Sequence, residues 1–130
     1  MSNVQIGDIV KTNYNSGTYI GEVLEDKQNF LLVKVLAVVT HPTQGDLHQR
    51  GQVEGVAFHE RKALAYEEKF NARKRMTKPF DGDIPDYATS LKQAVEDIKQ
   101  SLKSEDTEFN NLSLDRIADL ETHFYNKIYS

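Results

Sequence analysis

Gly7-Asp8-Ile9-Val10-Lys11-Thr12, Thr18-Tyr19-Ile20-Gly21-Glu22-Val23-Leu24 and Phe30-Leu31-Leu32-Val33-Lys34-Val35-Leu36 follow one another with only short polar breaks, at Asn15-Ser16-Gly17 and Asp26-Lys27-Gln28-Asn29. The runs are rich in β-branched and aromatic residues and the breaks carry turn chemistry, so they read as consecutive antiparallel strands. Strands this short bury their apolar sides only by curling on one another, which predicts a small twisted barrel. Gly21 has no side chain to pack in mid-strand and marks a bulge or tight bend. The third run stays apolar through Val39 and is read as the central strand, over residues 30–40.

Beyond it, Pro42, Gly45 and Gly51 punctuate a loop over residues 41–51, and residues 53–58 read as a fourth strand. A single turn at His59-Glu60-Arg61 then leads to a fifth strand through Leu64 and Tyr66, although a short helix over residues 60–70 fits local propensity as well. Residues 77–86 hold two prolines and a glycine and are expected to be an irregular connector, with Phe80 and Ile84 as apolar anchors. Tyr87, Leu91, Ala94, Val95, Ile98 and Leu102 recur at helical steps and mark one amphipathic helix. Ser113 is the expected N-cap of a second, whose stripe is Leu114, Ile117, Leu120, Phe124 and Ile128. The expected fold is mainly β: a barrel of about five strands over residues 1–76, a connector over 77–86 and an antiparallel helical hairpin over 87–130. Neither apolar stripe can face water, so the helices cover the barrel or pair with a second copy as a homodimer.

Charge is uneven. Residues 1–58 carry four Lys/Arg against six Asp/Glu, residues 59–78 seven against three, and residues 79–130 five against eleven. The basic middle segment is expected to face the acidic helices, and a net charge of −4 counts against nucleic acid as a partner. The sequence contains no cysteine, which excludes disulfides and thiolate chemistry within it. The start lacks the basic and apolar pattern of a signal peptide, and no run approaches the length needed to span a bilayer. A cytoplasmic protein is expected.

With the strands placed, Gly7-Asp8-Ile9-Val10, Gly17-Thr18-Tyr19-Ile20-Gly21-Glu22-Val23, Val33-Lys34-Val35-Leu36-Ala37-Val38, His41-Pro42-Thr43-Gln44-Gly45-Asp46-Leu47-His48, Phe58-His59-Glu60-Arg61-Lys62-Ala63-Leu64-Ala65 and Ile84-Pro85-Asp86-Tyr87 together resemble the kinase-associated protein B family. The likeness runs from about Gly7 to the first helix, and the motifs His-Pro-x-Gln-Gly-Asp-Leu-His and Phe-His-Glu-Arg are its specific part. The resemblance implies an SH3-like barrel with a helical extension, from Gram-positive bacteria. It further implies an accessory role beside a sensor histidine kinase in the sporulation phosphorelay, a form of two-component signalling. Some members are labelled lipoproteins, but this sequence has no cysteine to bear that lipid. The family brings no catalytic residues with it.

His41, Asp46, His48 and His59 offer imidazole and carboxylate ligands, but their spacing matches no metal signature. The reading taken is that these histidines hold the loop through backbone hydrogen bonds, so neither metal nor cofactor is expected. His59-Glu60-Arg61 resembles a base with its orienting carboxylate, yet no Ser or Cys nucleophile motif completes a triad, and no enzyme is expected. A protein-interaction module is the preferred reading, with His41, Gln44, Asp46, His48, His59 and Arg61 as the candidate protein-binding residues. On that reading, replacing His41, Asp46 and His48 by Ala leaves stability nearly unchanged. The alternative is a nucleic-acid- or ribosome-associated barrel, argued from the basic segment with Tyr66 and Phe70 interleaved.

Overall fold

A computed structural model describes residues 4–45 and 60–129. Among these residues five antiparallel strands form one sheet in the order β4-β3-β2-β1-β5, with β1 Ile9–Tyr14, β2 Gly17–Lys27, β3 Phe30–Thr40, β4 Lys69–Arg73 and β5 Lys78–Pro79. Helices α1 (Tyr87–Lys103) and α2 (Glu108–Leu120) follow, and a π turn (Glu121–Tyr125) joins α2 to a last helical turn, α3 (Asn126–Tyr129). The expected count of about five strands plus C-terminal helices is therefore met, as are the first three strands and the span of α1.

Among the described residues the expected barrel is a curled sheet whose ladder does not close on itself. Among the described residues β4 and β5 are its edges and share no ladder; a 3₁₀ turn, Lys74–Met76, separates them. Strand β5 is only two residues long, and Pro79 has no N–H to give to a further strand. It pairs with Val10 and Lys11 of β1, so residues expected to be purely a connector supply the fifth strand. A buried hydroxyl pair fixes it there: the Thr12 hydroxyl meets Thr77 Oγ1 at 2.8 Å, and Thr77 donates onward to the Arg73 carbonyl. Across the gap between β1 and β4, Tyr14 and Phe70 meet edge to face at 5.2 Å between ring centres.

The curl comes from β2, whose pairing with β3 shifts register at three places, one of them between Ile20 and Gly21. A Cβ on Gly21 would overlap Val33 Cγ1 and the Lys34 carbonyl oxygen, so only glycine admits this approach of the strands. The anticipated bend at Gly21 is thus present.

The fifth strand does not run through Leu64 and Tyr66, and residues 60–70 are not a helix. Residues 60–65 are irregular and β4 begins at Lys69. Here the good helix-forming propensities of Ala, Leu, Glu and Lys lose to hydrogen bonds offered by distant side chains, described below. The strand expected over residues 53–58 lies outside the described residues.

Helix α1 is capped by the Asp86 carboxylate, which accepts from the Thr89 N–H, and it packs its Leu91, Ala94 and Val95 face on β3. Ser90 stitches the two together, donating to the Tyr87 carbonyl while its oxygen accepts the buried Val38 N–H at 3.0 Å. Helix α2 starts earlier than expected. Thr107, not Ser113, is its N-cap, and Ser113 is buried mid-helix. The polar residues that looked like a break build the turn instead, because Asn110 gives its N–H to Thr107 Oγ1 and its side-chain amide to the carbonyls of Leu102 and Glu105.

The π turn corrects the second apolar stripe. After Leu120 an α-helix would bring Phe124 inward, whereas the wider turn brings Tyr125 inward and leaves Phe124 42% exposed against 1% for Tyr125. One hydrophobic cluster joins Val10, Tyr19, Val33 and Phe70 of the sheet to Leu91, Ile117, Leu120 and Tyr125 of the helices, so the helices cover the sheet.

Among the described residues the basic segment makes no ion pair with the acidic helices. Among the described residues Lys74 pairs with Asp26 of β2 at 2.7 Å, while Lys99 of α1 pairs with Glu121 of the π turn at 2.7 Å. Lys62 instead sits 4.2 Å from the centre of the Phe124 ring.

Candidate functional site

Residues 60–65 lie against residues 41–45, and both stretches lack backbone ladders. A buried, unpaired N–H or C=O costs about 1–3 kcal/mol. Side chains from three distant elements satisfy these groups. Tyr125 Oη accepts the Ala63 N–H at 2.9 Å, Tyr19 Oη of β2 accepts the Leu64 N–H at 3.2 Å, and Tyr87 of α1 donates its hydroxyl to the Leu64 carbonyl. Burial disfavours each phenolate, pushing the Tyr19 hydroxyl up to about 12 and those of Tyr87 and Tyr125 higher still. All three therefore stay neutral and able to make these bonds at physiological pH.

Tyr125 also reaches His41, whose Nε2 lies 2.8 Å from its hydroxyl. The other ring nitrogen, Nδ1, faces the Pro42 carbonyl at 2.9 Å, and a carbonyl can only accept. The proton is thereby assigned to Nδ1, so Nε2 accepts from Tyr125. Burial holds the His41 pKa down at about 4, with the Pro42 carbonyl acting weakly in the other direction. The imidazole is neutral, enclosed and fully engaged.

Gln44 closes the neck of the intervening segment. Its amide donates to the carbonyls of Arg61 and Pro42 at 2.9 and 3.1 Å, while its Oε1 accepts the Arg61 N–H at 2.8 Å. Arg61 answers through Nε, which donates to the Gly45 carbonyl at 3.0 Å. One side chain thus pairs with a backbone as a neighbouring strand would.

Of the sequence-derived candidates, His41, Gln44 and Arg61 converge here. His41 and Gln44 are only 1% exposed, so they are turned away from any partner and act by holding the loop. Arg61 is half-buried with its Nε directed at Gly45. Asp46, His48 and His59 lie outside the described residues. The tyrosine clamp was not anticipated. Its only trace in the sequence is that Tyr19 and Tyr87 occupy apolar positions of their elements, where a buried ring carries a hydroxyl needing a partner. The aromatic interleaving that suggested nucleic acid is not presented as one face, since Phe70 is buried and Lys74 is ion-paired.

Beside the clamp, an open cleft of about 620 Å³ is lined by Leu36, Tyr66, Ile84, Pro85, Tyr87 and Ile128. No helix among the described residues is long and apolar enough to cross a membrane.

The family model for kinase associated protein B matches residues 14–125, most of the chain. This chain belongs to the kinase-associated protein B family. A Bacillus subtilis (strain 168) relative, "Kinase-associated lipoprotein B", is 44% identical over 127 residues, covering 98% of this chain and 99% of the relative. The crystal structure of kinase-associated protein B from Bacillus cereus superposes with a TM-score of 0.80 at 37% identity, covering 94% of this chain and 98% of that one. The family resemblance read from the His-Pro-x-Gln-Gly-Asp-Leu-His and Phe-His-Glu-Arg motifs is therefore established. The described parts of those two motifs are the loop neck, His41 to Gly45 against Arg61.

Proposed function

We propose that this member of the kinase-associated protein B family is a non-enzymatic interaction module that acts on the cytoplasmic side, supporting a sensor histidine kinase of the sporulation phosphorelay. The single observation that carries the interaction reading is the Gln44–Arg61 clamp. It ties together the two ends of the segment that carries Asp46, His48 and His59, and recognition commonly resides in loops anchored to rigid scaffolds. Supporting it, the buried titratable groups at the neck are each engaged in holding backbone, which leaves their chemistry occupied by structure. The family's kinase-associated description supports the choice of partner class.

The test is retention of the sensor histidine kinase from native cells on the immobilised protein. It is compared with a variant carrying Asp46→Ala, His48→Ala and His59→Ala, which keeps the buried His41. The expected result is kinase retained by the wild type and reduced in the variant at an unchanged melting midpoint. Retention of no kinase, or of ribosomal components in its place, overturns the reading.

A further inference from the structure

At the gap between β1 and β4, three large apolar side chains line one depression and stand exposed: Tyr14 at 39%, Phe30 at 41% and Met76 at 44%. They come from the end of β1, the start of β3 and the 3₁₀ turn. Two adjoining depressions of about 440 and 470 Å³ cover this region and share Phe30, Arg73 and Arg75. Arg73 lies directly across the ladder from Phe30. Among the described residues neither Arg73 nor Arg75 makes an ion pair, whereas Lys74 between them is neutralised by Asp26. In a chain of net charge −4, two exposed guanidinium groups without carboxylates, beside an apolar patch, form a local exception.

We infer that this face docks a short acidic segment of a protein partner, with an apolar side chain seated among Tyr14, Phe30 and Met76 and flanking carboxylates held by Arg73 and Arg75. The complementarity is specific in kind. A guanidinium fork matches a carboxylate in a two-point hydrogen bond, and an aromatic and thioether floor suits an apolar anchor between two such points. A polyanion fits less well, because nucleic-acid affinity grows with the number of phosphates neutralised, and here two cations stand on an acidic body. A second copy of the chain offers helices whose core-facing stripes are buried on the sheet and an exposed acidic connector around Ile84, so self-association is scored as an outcome of the test.

The inference rests on the interaction reading above and adds a site and a partner chemistry to it. The test titrates the full chain with the labelled peptide acetyl-Glu-Asp-Phe-Leu-Glu-Asp, its Gln/Asn counterpart and a single-stranded oligouridylate of matched charge, at physiological salt. The expected result is saturable binding of the acidic peptide, weakened about tenfold or more both in the Gln/Asn peptide and in R73Q/R75Q. Backbone amide shifts should centre on Tyr14, Phe30 and Met76. No saturable binding, or equal binding by R73Q/R75Q, overturns the inference. So does oligouridylate binding more tightly than the peptide, or a wild-type dimer that R73Q/R75Q abolishes. Kinase retention scored in parallel separates the two readings. A kinase held equally by wild type and R73Q/R75Q overturns this docking site for it while leaving the interaction reading intact. No kinase held by the wild type removes that reading and leaves the peptide titration to decide the patch.

Discussion

His41 Nε2 accepts the hydroxyl proton of Tyr125 at 2.8 Å, across a separation of 84 residues in the chain. The same hydroxyl accepts the Ala63 N–H, so one oxygen holds three segments: the end of β3, the irregular stretch before β4, and the C-terminal helices. A protonated His41 would lose this arrangement, because its Nε2–H would face an oxygen whose own proton then has no acceptor.

Stability should therefore fall with pH in a defined window. His41 has a folded pKa near 4 against 6.5 for the free side chain, so its contribution is complete above about 6.5 and is lost as pH drops towards 4. Urea unfolding at pH 5 should show a loss of about 2 kcal/mol relative to pH 7. H41Q, already less stable at pH 7, should lack most of that slope. An equal slope in both proteins assigns the titration elsewhere.

Tyr125→Phe keeps the ring in the core but leaves the Ala63 N–H and His41 Nε2 unpaired. Two buried orphans should cost about 2–4 kcal/mol. Equilibrium unfolding measures it, and a change below ~0.5 kcal/mol would show that water replaces the hydroxyl.

The π turn implies an unusual tolerance to deletion. Removing exposed Thr122 converts Glu121–Tyr125 into an α turn that still brings the next tyrosine inward after Leu120. The loss should stay near ~1 kcal/mol. Removing exposed Asp115 instead rotates Ile117 and Leu120 out of the core and should abolish cooperative unfolding. Circular dichroism melts distinguish the pair.

Gly21→Ala should destabilise by about 2 kcal/mol or more, since the new methyl meets the Lys34 backbone, which cannot swing aside. Leu91→Ala, at a fully buried position where α1 meets β3, should cost about 2–5 kcal/mol in one cooperative transition. Two separate transitions would show that sheet and helices fold independently.

These contacts argue against the sequence expectation that replacing His41, Asp46 and His48 together spares stability. The sequence reading has the histidines hydrogen-bonding backbone to hold the loop, as His41 does with the Pro42 carbonyl, but it gives that role no weight in stability. Burial of His41 and Gln44 depends on Tyr125 and Arg61, which no local pattern links to them. The stretch before β4 was misread for a related reason: strand and helix propensities compete there, and three tyrosine hydroxyls from elsewhere override both.

Short-range chemistry alone determined the first three strands, the bend at Gly21, the span of α1 and the family, because turn residues, alternation of burial and helical spacing act between neighbours. Tertiary structure decided what those neighbours could not: that among the described residues β4 and β5 share no ladder, that Tyr125 and not Phe124 enters the core, and that His41 and Gln44 brace the loop neck. Each of these depends on groups brought together only after the chain has folded, where the need to satisfy buried polar atoms selects partners that sequence distance conceals.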